Sequence, residues 1–191
     1  LAASNVTKYL TQWTMDDVES VGLLKIDFLG IRYLTMVSNI VDQIKKDNPS
    51  FDITKINYAD QKVYNLFTQG RTEGIFQFES SGMKEKLRLL RPTEFNDIVA
   101  MNALYRPGPM AQIETYVRRK HGEEKVVYPH PHLEKILRDT YGVIVYQEQI
   151  MLIAVNFAHM SLNEADNMRR AVSKKKKEDL EYYGRIFIEK S

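Results

Sequence analysis

A single aspartate and one basic block hold most of the chemistry this chain could do. Asp27 is the carboxylate of a mainly apolar run, Leu23-Leu24-Lys25-Ile26-Asp27-Phe28-Leu29, bounded by Gly22 and Gly30. A carboxylate on a rigid element suits a hard cation such as Mg²⁺, and beside Lys25 it can equally close a plain ion pair. One carboxylate does not hold two ions at the separation that in-line phosphoryl displacement uses. Asp16 and Asp17 are weak partners, because Met15-Asp16-Asp17-Val18 reads as a helix start where acidic side chains complement the dipole. The basic block, Arg169-Arg170-Ala171-Val172-Ser173-Lys174-Lys175-Lys176-Lys177, places six positive charges in nine residues; taking them from the net charge of +2 leaves the rest of the chain at −4. Positive potential this local fits a polyanion, with arginines for bidentate phosphate contact and lysines as point charges along a backbone. A solvated helix end explains the same run, and a nuclear-import signal explains its lysines.

Two further groups carry polar chemistry. Arg106 lies in Tyr105-Arg106-Pro107-Gly108-Pro109, a turn stiffened by two prolines. An arginine there is either a helix C-cap cation or a preorganised phosphate ligand, and spacing does not choose. In Tyr146-Gln147-Glu148-Gln149 the tyrosine offers a stacking face for a base, and Gln147 or Gln149 offers hydrogen bonds to a base or sugar edge. A plain helix N-terminus with its polar side chains in solvent accounts for the same residues. The histidines match no metal template: His130-Pro131-His132 is a loop, and His121 precedes Gly122 at a helix end.

The elements that must position these groups are mostly helical. Ile31, Leu34, Val37, Val41 and Ile44 form one apolar stripe ending near Asn48-Pro49. Met83, Leu87 and Leu90 form a second, halted by Arg91-Pro92. Phe95, Ile98 and Val99 begin a third, entered through Thr93 as N-cap and closed by Arg106-Pro107. Further helices are expected at about 110–120, 133–139, 147–158, 162–172 and 178–190, with Ser161-Leu162-Asn163-Glu164 as a capping box ahead of the arginines. Strand signals are few: residues 23–29 are the best, with Lys25 and Asp27 on one face, and residues 74–78 and 143–146 are shorter candidates. The expected fold is mainly α with a small β element, a strand pair or small sheet at the N-terminal end.

Composition agrees with an ordinary globular chain. At 191 residues, 43% hydrophobic and 27% charged, it can build one domain, or one large domain with a fragment of another, without disulfides. It has no cysteine, which excludes thiolate metal sites and fits a reducing compartment. No apolar run approaches the roughly 18 residues of a membrane span, so no membrane partner is expected. The first residue is Leu1, which suggests a piece of a longer protein.

Read in order, Lys25-Ile-Asp-Phe-Leu-Gly30, Phe76-Gln-Phe-Glu-Ser80 with Gly82-Met83, Tyr105-Arg-Pro-Gly-Pro109, Tyr141-Gly-Val-Ile-Val-Tyr-Gln-Glu-Gln149 and Arg169-Arg-Ala171 with its lysines resemble the bacterial replicative DNA polymerase III alpha subunits, C-family polymerases. The resemblance implies a palm remnant over residues 1–30, ending in a strand that carries a catalytic aspartate, Asp27, as Mg²⁺ ligand. It implies a helical fingers domain over residues 31–191. Lys25, Arg106, Tyr146, Gln147, Arg169 and Arg170 would then meet the incoming deoxynucleoside triphosphate, and Lys174, Lys175, Lys176 and Lys177 the DNA backbone. The implied partners are primer-template DNA, nucleotides, the sliding clamp and other replisome subunits, in the cytoplasm. The family's Asp-x-Asp motif, which supplies its other two catalytic aspartates, does not occur here, so these residues alone are expected to be inactive. A non-catalytic helical module that binds nucleic acid or protein, with Asp27 merely structural, is the alternative.

Overall fold

The structure, a computed structural model, describes residues 11–24, 26, 28–174 and 177–191. The backbone divides into two compact units, Leu1–Thr54 and Lys55–Ser191. In the first, helix α1 (Met15–Ser20) is capped by Thr14, whose hydroxyl accepts from the Asp17 N–H at 3.4 Å, with Asp16 and Asp17 in the first turn. Helix α2 (Tyr33–Asp47) carries the apolar stripe and stops where Pro49 forces Asn48 out of the helical region. Lys45 and Lys46 sit in its last turn, where cations oppose the helix dipole favourably.

The second unit holds the packed core. Helices α3 (Gln61–Thr68), α4 (Ser81–Leu90), α5 (Phe95–Leu104) and α6 (Ile113–Lys120) surround Tyr64, Met83, Leu87, Leu90, Met101, Leu104, Ile113 and Tyr116, all buried. Buried Asp97 ties the start of α5 to the end of α6. Its Oδ2 accepts from the Thr93 and Glu94 N–H groups at 2.8 and 3.2 Å and lies 3.0 Å from Nζ of Lys120, itself largely buried. The N-cap of α5 is therefore Glu94, one residue beyond the expected Thr93, because Thr93 turns to Asp97 instead.

Helices α7 (Glu134–Leu137), α8 (Gln147–Asn156), α9 (Leu162–Lys174) and α10 (Lys177–Lys190) follow, with α7 packing on α8, α8 on α9 and α9 on α10. Ala154, Ala158 and Ala165 are wholly buried, and such small side chains let α8 and α9 approach closely. Met151, Met168, Tyr183, Ile186 and Phe187 close over them from the sides and from α10.

The described residues contain no strand, so the expected β element is not there and the fold is all-helical. Residues 74–78 curl through two tight turns, with Ile75 N–H on Thr72 O and Phe78 N–H on Ile75 O, and Gln77 takes a left-handed φ of 68°. Of residues 143–146, Val143 closes a turn on Thr140 O and Tyr146 is extended, but the N–H groups of Val145 and Tyr146 go to a side chain, Gln149, rather than to a ladder. Around the third candidate, Leu23, Leu24, Ile26, Phe28 and Leu29 are exposed and in no strand; Lys25 and Asp27 lie outside the described residues. Alternation can mark residues fit for a strand, but a strand needs a neighbour to take its N–H and C=O groups, and none is present among the described residues.

The capping box at the head of α9 forms as the sequence indicates. Oε2 of Glu164 accepts from the Ser161 N–H at 2.7 Å and from its hydroxyl at 2.9 Å, and Glu164 N–H returns to the hydroxyl at 3.3 Å. Lys190, at the end of α10, adds Nζ contacts of 2.8 and 3.0 Å to the same carboxylate. These bonds, that from Lys190 foremost, hold the Glu164 carboxyl down from its ordinary 4.5 to about 2. Because the folded-state value is depressed, its contribution is complete above the unfolded value and disappears as pH falls through the folded one. The melting-temperature deficit of Glu164→Gln relative to the parent should therefore be full above about pH 5 and shrink steadily toward about pH 2. Thermal melts across that range check this, and a deficit that does not change with pH would mean the carboxylate is not the group that ties α9 to α10.

Candidate functional site

The segment from Tyr141 to Gln149 is held by one buried side chain. Gln149, in the first turn of α8, accepts from the Val145 and Tyr146 N–H groups at 2.8 and 2.9 Å through Oε1. Its amide nitrogen donates to Ile136 O at 3.2 Å and to the Thr140 hydroxyl at 2.8 Å. That hydroxyl in turn lies 2.6 Å from Val143 O. Gln149 is thus saturated by the protein and leaves nothing for a base, so of the two candidate amides only exposed Gln147 can meet a ligand. Tyr146 is half-buried. Burial, then the charge of Asp97, raises its phenol above the ordinary value and keeps it neutral.

Tyr146 and Gln147 form one wall of an open groove of about 850 Å³. Arg106, Pro107, Gly108 and Pro109 form a second wall, and Val172 and Ser173 of α9 a third. The Arg106 turn is fixed at both ends. A methyl group at Gly82 would overlap the Tyr105 hydroxyl, so glycine there lets Tyr105 lie against α4. Gly108 has φ 105° and ψ −72°, a backbone that side chains rarely adopt, and it redirects the chain into the 3₁₀ turn Pro109–Gln112. Arg106 is exposed, and its guanidinium makes no hydrogen bond or ion pair among the described residues.

Arg169 connects α9 to the Tyr146–Gln147 wall. Its Nη1 donates to Gln147 Oε1 at 2.7 Å, while Nε and Nη2 reach Asp166 Oδ1 at 2.9 and 2.8 Å. Ser173 completes the link by donating to Arg169 O at 2.9 Å and accepting from Gln147 at 3.4 Å. Arg170 Nε lies 2.8 Å from the other oxygen of Asp166. The Arg169 hydrogen bond, followed by the charges of both arginines, holds the Asp166 carboxyl below its ordinary range. The roles of Asp166 and Ser173 escaped the sequence reading. Only the i,i+3 and i,i+4 spacing of Asp166 to the arginines could have flagged either of them.

The structure places Arg106, Tyr146 and Gln147 on the groove and joins Arg169 to Gln147; Arg170 follows Arg169 on α9 and shares its Asp166, without lining the groove itself. Lys177 opens α10, is exposed, and lies 3.9 Å from Glu181. The side chain of Lys174 and all of Lys175 and Lys176 lie outside the described residues, as do Lys25 and Asp27. No group of three or more His, Cys, Asp or Glu among the described residues could hold a metal ion, so they do not by themselves fit a Mg²⁺ centre. No described helix is long and apolar enough to cross a membrane.

Residues 33–191 match the family model of the bacterial DNA polymerase III alpha subunit finger domain. The chain belongs to this family. It is 56% identical over 184 residues to DNA polymerase III subunit alpha of Staphylococcus aureus (strain COL), covering 96% of this chain and 17% of that protein. It is 55% identical over 182 residues to the subunit of the same name from Bacillus subtilis (strain 168), covering 95% of this chain and 16% of that one. The chain thus spans about one sixth of the length of these alpha subunits. Within this finger domain the groove is built from three of the motifs that carry the resemblance: the Arg106 turn, the Tyr141–Gln149 segment and the Arg169 helix.

Gln149→Leu keeps the volume but strips partners from the Val145 and Tyr146 N–H groups and from Ile136 O and Thr140. Each buried group left unpaired costs about 1–3 kcal/mol, so unfolding free energy should fall by at least about 2 kcal/mol. Gln147→Leu, on the exposed wall, should stay within about 0.5 kcal/mol of the parent. Chemical denaturation of both variants checks this, and equal losses would mean that Gln149 is not the clamp.

Proposed function

We propose that this finger domain serves a template-directed DNA polymerase, and that its groove receives the incoming deoxynucleoside triphosphate. The observation that carries the reading is the convergence of Arg106, whose guanidinium has no partner among the described residues, an aromatic side chain, Tyr146, and the Gln147–Arg169 pair on one open groove. Arginines supply the bidentate contacts that phosphate oxygens take. Tyr146 supplies a face for the nascent base pair, and Gln147 a hydrogen-bonding edge beside it.

Residues 31–191 are taken as fingers, which the family match from residue 33 supports, and residues 1–30 as the end of the palm. In this reading Asp27 is a catalytic carboxylate and Mg²⁺ ligand, and Lys25 beside it meets the triphosphate. The remaining metal ligands come from carboxylates that these residues do not include, so the chain by itself does not extend a primer. Lys174, Lys175, Lys176 and Lys177 follow the backbone of primer-template DNA; their closeness in sequence to Arg169 and Arg170, and the exposure of Lys177 at the start of α10, support this. The sliding clamp and other replisome subunits engage the polymerase through other regions, in the cytoplasm.

The two kinds of contact separate in a full-length alpha subunit carrying this domain. Arg106→Ala should raise KM for the nucleotide roughly ten- to a hundredfold, the value of a charge-assisted hydrogen bond, and leave DNA affinity unchanged. Replacing Lys174–Lys177 with alanine should leave that KM in place, weaken duplex binding, and flatten its log–log salt slope by about 3.6. Steady-state kinetics and salt titrations check both. An Arg106→Ala enzyme with unchanged nucleotide KM, or a lysine variant with an unchanged salt slope, would contradict the corresponding assignment.

A further inference from the structure

Two adjacent arginines on α9 share one acidic partner and differ in what remains of their hydrogen-bonding capacity. Arg169 spends Nε and Nη2 on Asp166 and Nη1 on Gln147, and its side chain is only 24% exposed. Arg170 gives Nε to Asp166, is 62% exposed, and makes no hydrogen bond through its terminal nitrogens among the described residues. The i,i+3 and i,i+4 spacing places both arginines over the same carboxylate, one on each oxygen. A guanidinium held through Nε still presents its two terminal amino groups as a planar fork, the geometry that phosphate oxygens accept.

We propose that Asp166 is a positioning residue of the nucleotide groove, locking Arg169 as the brace of Gln147 and holding Arg170 with its terminal nitrogens directed to phosphate. The inference rests on the nucleotide reading of the groove. Asp166 does not touch the nucleotide: it holds Arg170, which does, and Arg169, which braces Gln147, and it offsets one of the two arginine charges while the groove is empty. Preorganisation of this kind acts on binding, because a side chain already held in its bound rotamer loses less freedom when the ligand arrives. Loss of Asp166 should therefore appear in KM before it appears in kcat or in stability.

The test uses a full-length alpha subunit with Asp166→Asn, Asp166→Glu and Arg170→Ala, measuring KM and kcat for a deoxynucleoside triphosphate on primer-template DNA together with the melting temperature. Asparagine keeps the shape but loses the charge and one acceptor; glutamate keeps both oxygens and the charge. Expected are a rise in KM of about tenfold for Arg170→Ala and severalfold for Asp166→Asn, kcat within about twofold, an unchanged melting temperature, and partial recovery of KM in Asp166→Glu. If Arg170→Ala raises KM while Asp166→Asn does not, the positioning role is overturned and the groove reading stands. If Arg170→Ala leaves KM unchanged, Arg170 does not meet phosphate and the proposal fails, while the separate Arg106→Ala kinetics decide the groove. If both Asp166 variants lose melting temperature in step with KM, Asp166 is a structural prop and the positioning role is likewise overturned.

Discussion

The geometry of the groove depends on one primary amide. Gln149 occupies the turn where an extended segment becomes helix α8, and it takes up the N–H groups that such a segment would otherwise give to a neighbouring strand. By donating to Ile136 and Thr140 from its other end, it also fixes that segment to the elements before it. Buried donors and acceptors are costly when unpaired, so the segment has one low-energy course, and Tyr146 and Gln147 leave it at a fixed angle. Arg169 can then bridge to Gln147 because both of its ends are anchored, one on this segment and one on Asp166.

Helix α9 is anchored with similar economy. Glu164 closes its N-terminus and receives Lys190 from the end of α10, while buried alanines bring α8 and α9 together. Deep in the core, the Asp97–Lys120 pair joins the start of α5 to the end of α6, at the ends of both helices away from the Arg106 turn. The groove is therefore lined by loops and a helix face whose backbones are set from behind by buried polar contacts. The groove-facing side of Arg106 and the terminal nitrogens of Arg170 are left without protein partners among the described residues.

Much of the helical framework was legible in the sequence because its signals are local. Apolar spacing, the Ser161–Glu164 box and the breaks at Pro49, Pro92 and Pro107 are written within a few residues of the elements they define. Helix α3 was missed: it is short, and its signal reduces to the Asp60 cap with Tyr64 and Phe67 at three-residue spacing. The strands were misread because short β-branched and aromatic runs report fitness for extended backbone, not the presence of a partner. At residues 143–146 a side chain, Gln149, takes the N–H groups of Val145 and Tyr146 that a neighbouring strand would have taken. At the groove, the types and order of Arg106, Tyr146, Gln147 and Arg169 pointed to phosphate and base chemistry, but their convergence is a long-range fact that no spacing rule contains. Asp166 was hidden for a different reason: an acidic residue one turn before two arginines looks like an ordinary surface pair until the structure joins one of those arginines to Gln147.

The most direct test of the central claim is to map where the nucleotide lies. A full-length alpha subunit carrying this domain, assembled on primer-template DNA, would be irradiated with a deoxynucleoside triphosphate bearing a photoreactive group on its terminal phosphate, and the labelled peptides sequenced. Label within residues 103–109, 145–148 or 166–173 is the predicted result. Label that spares all three stretches and falls elsewhere in the finger domain would contradict the assignment of this groove to the incoming nucleotide.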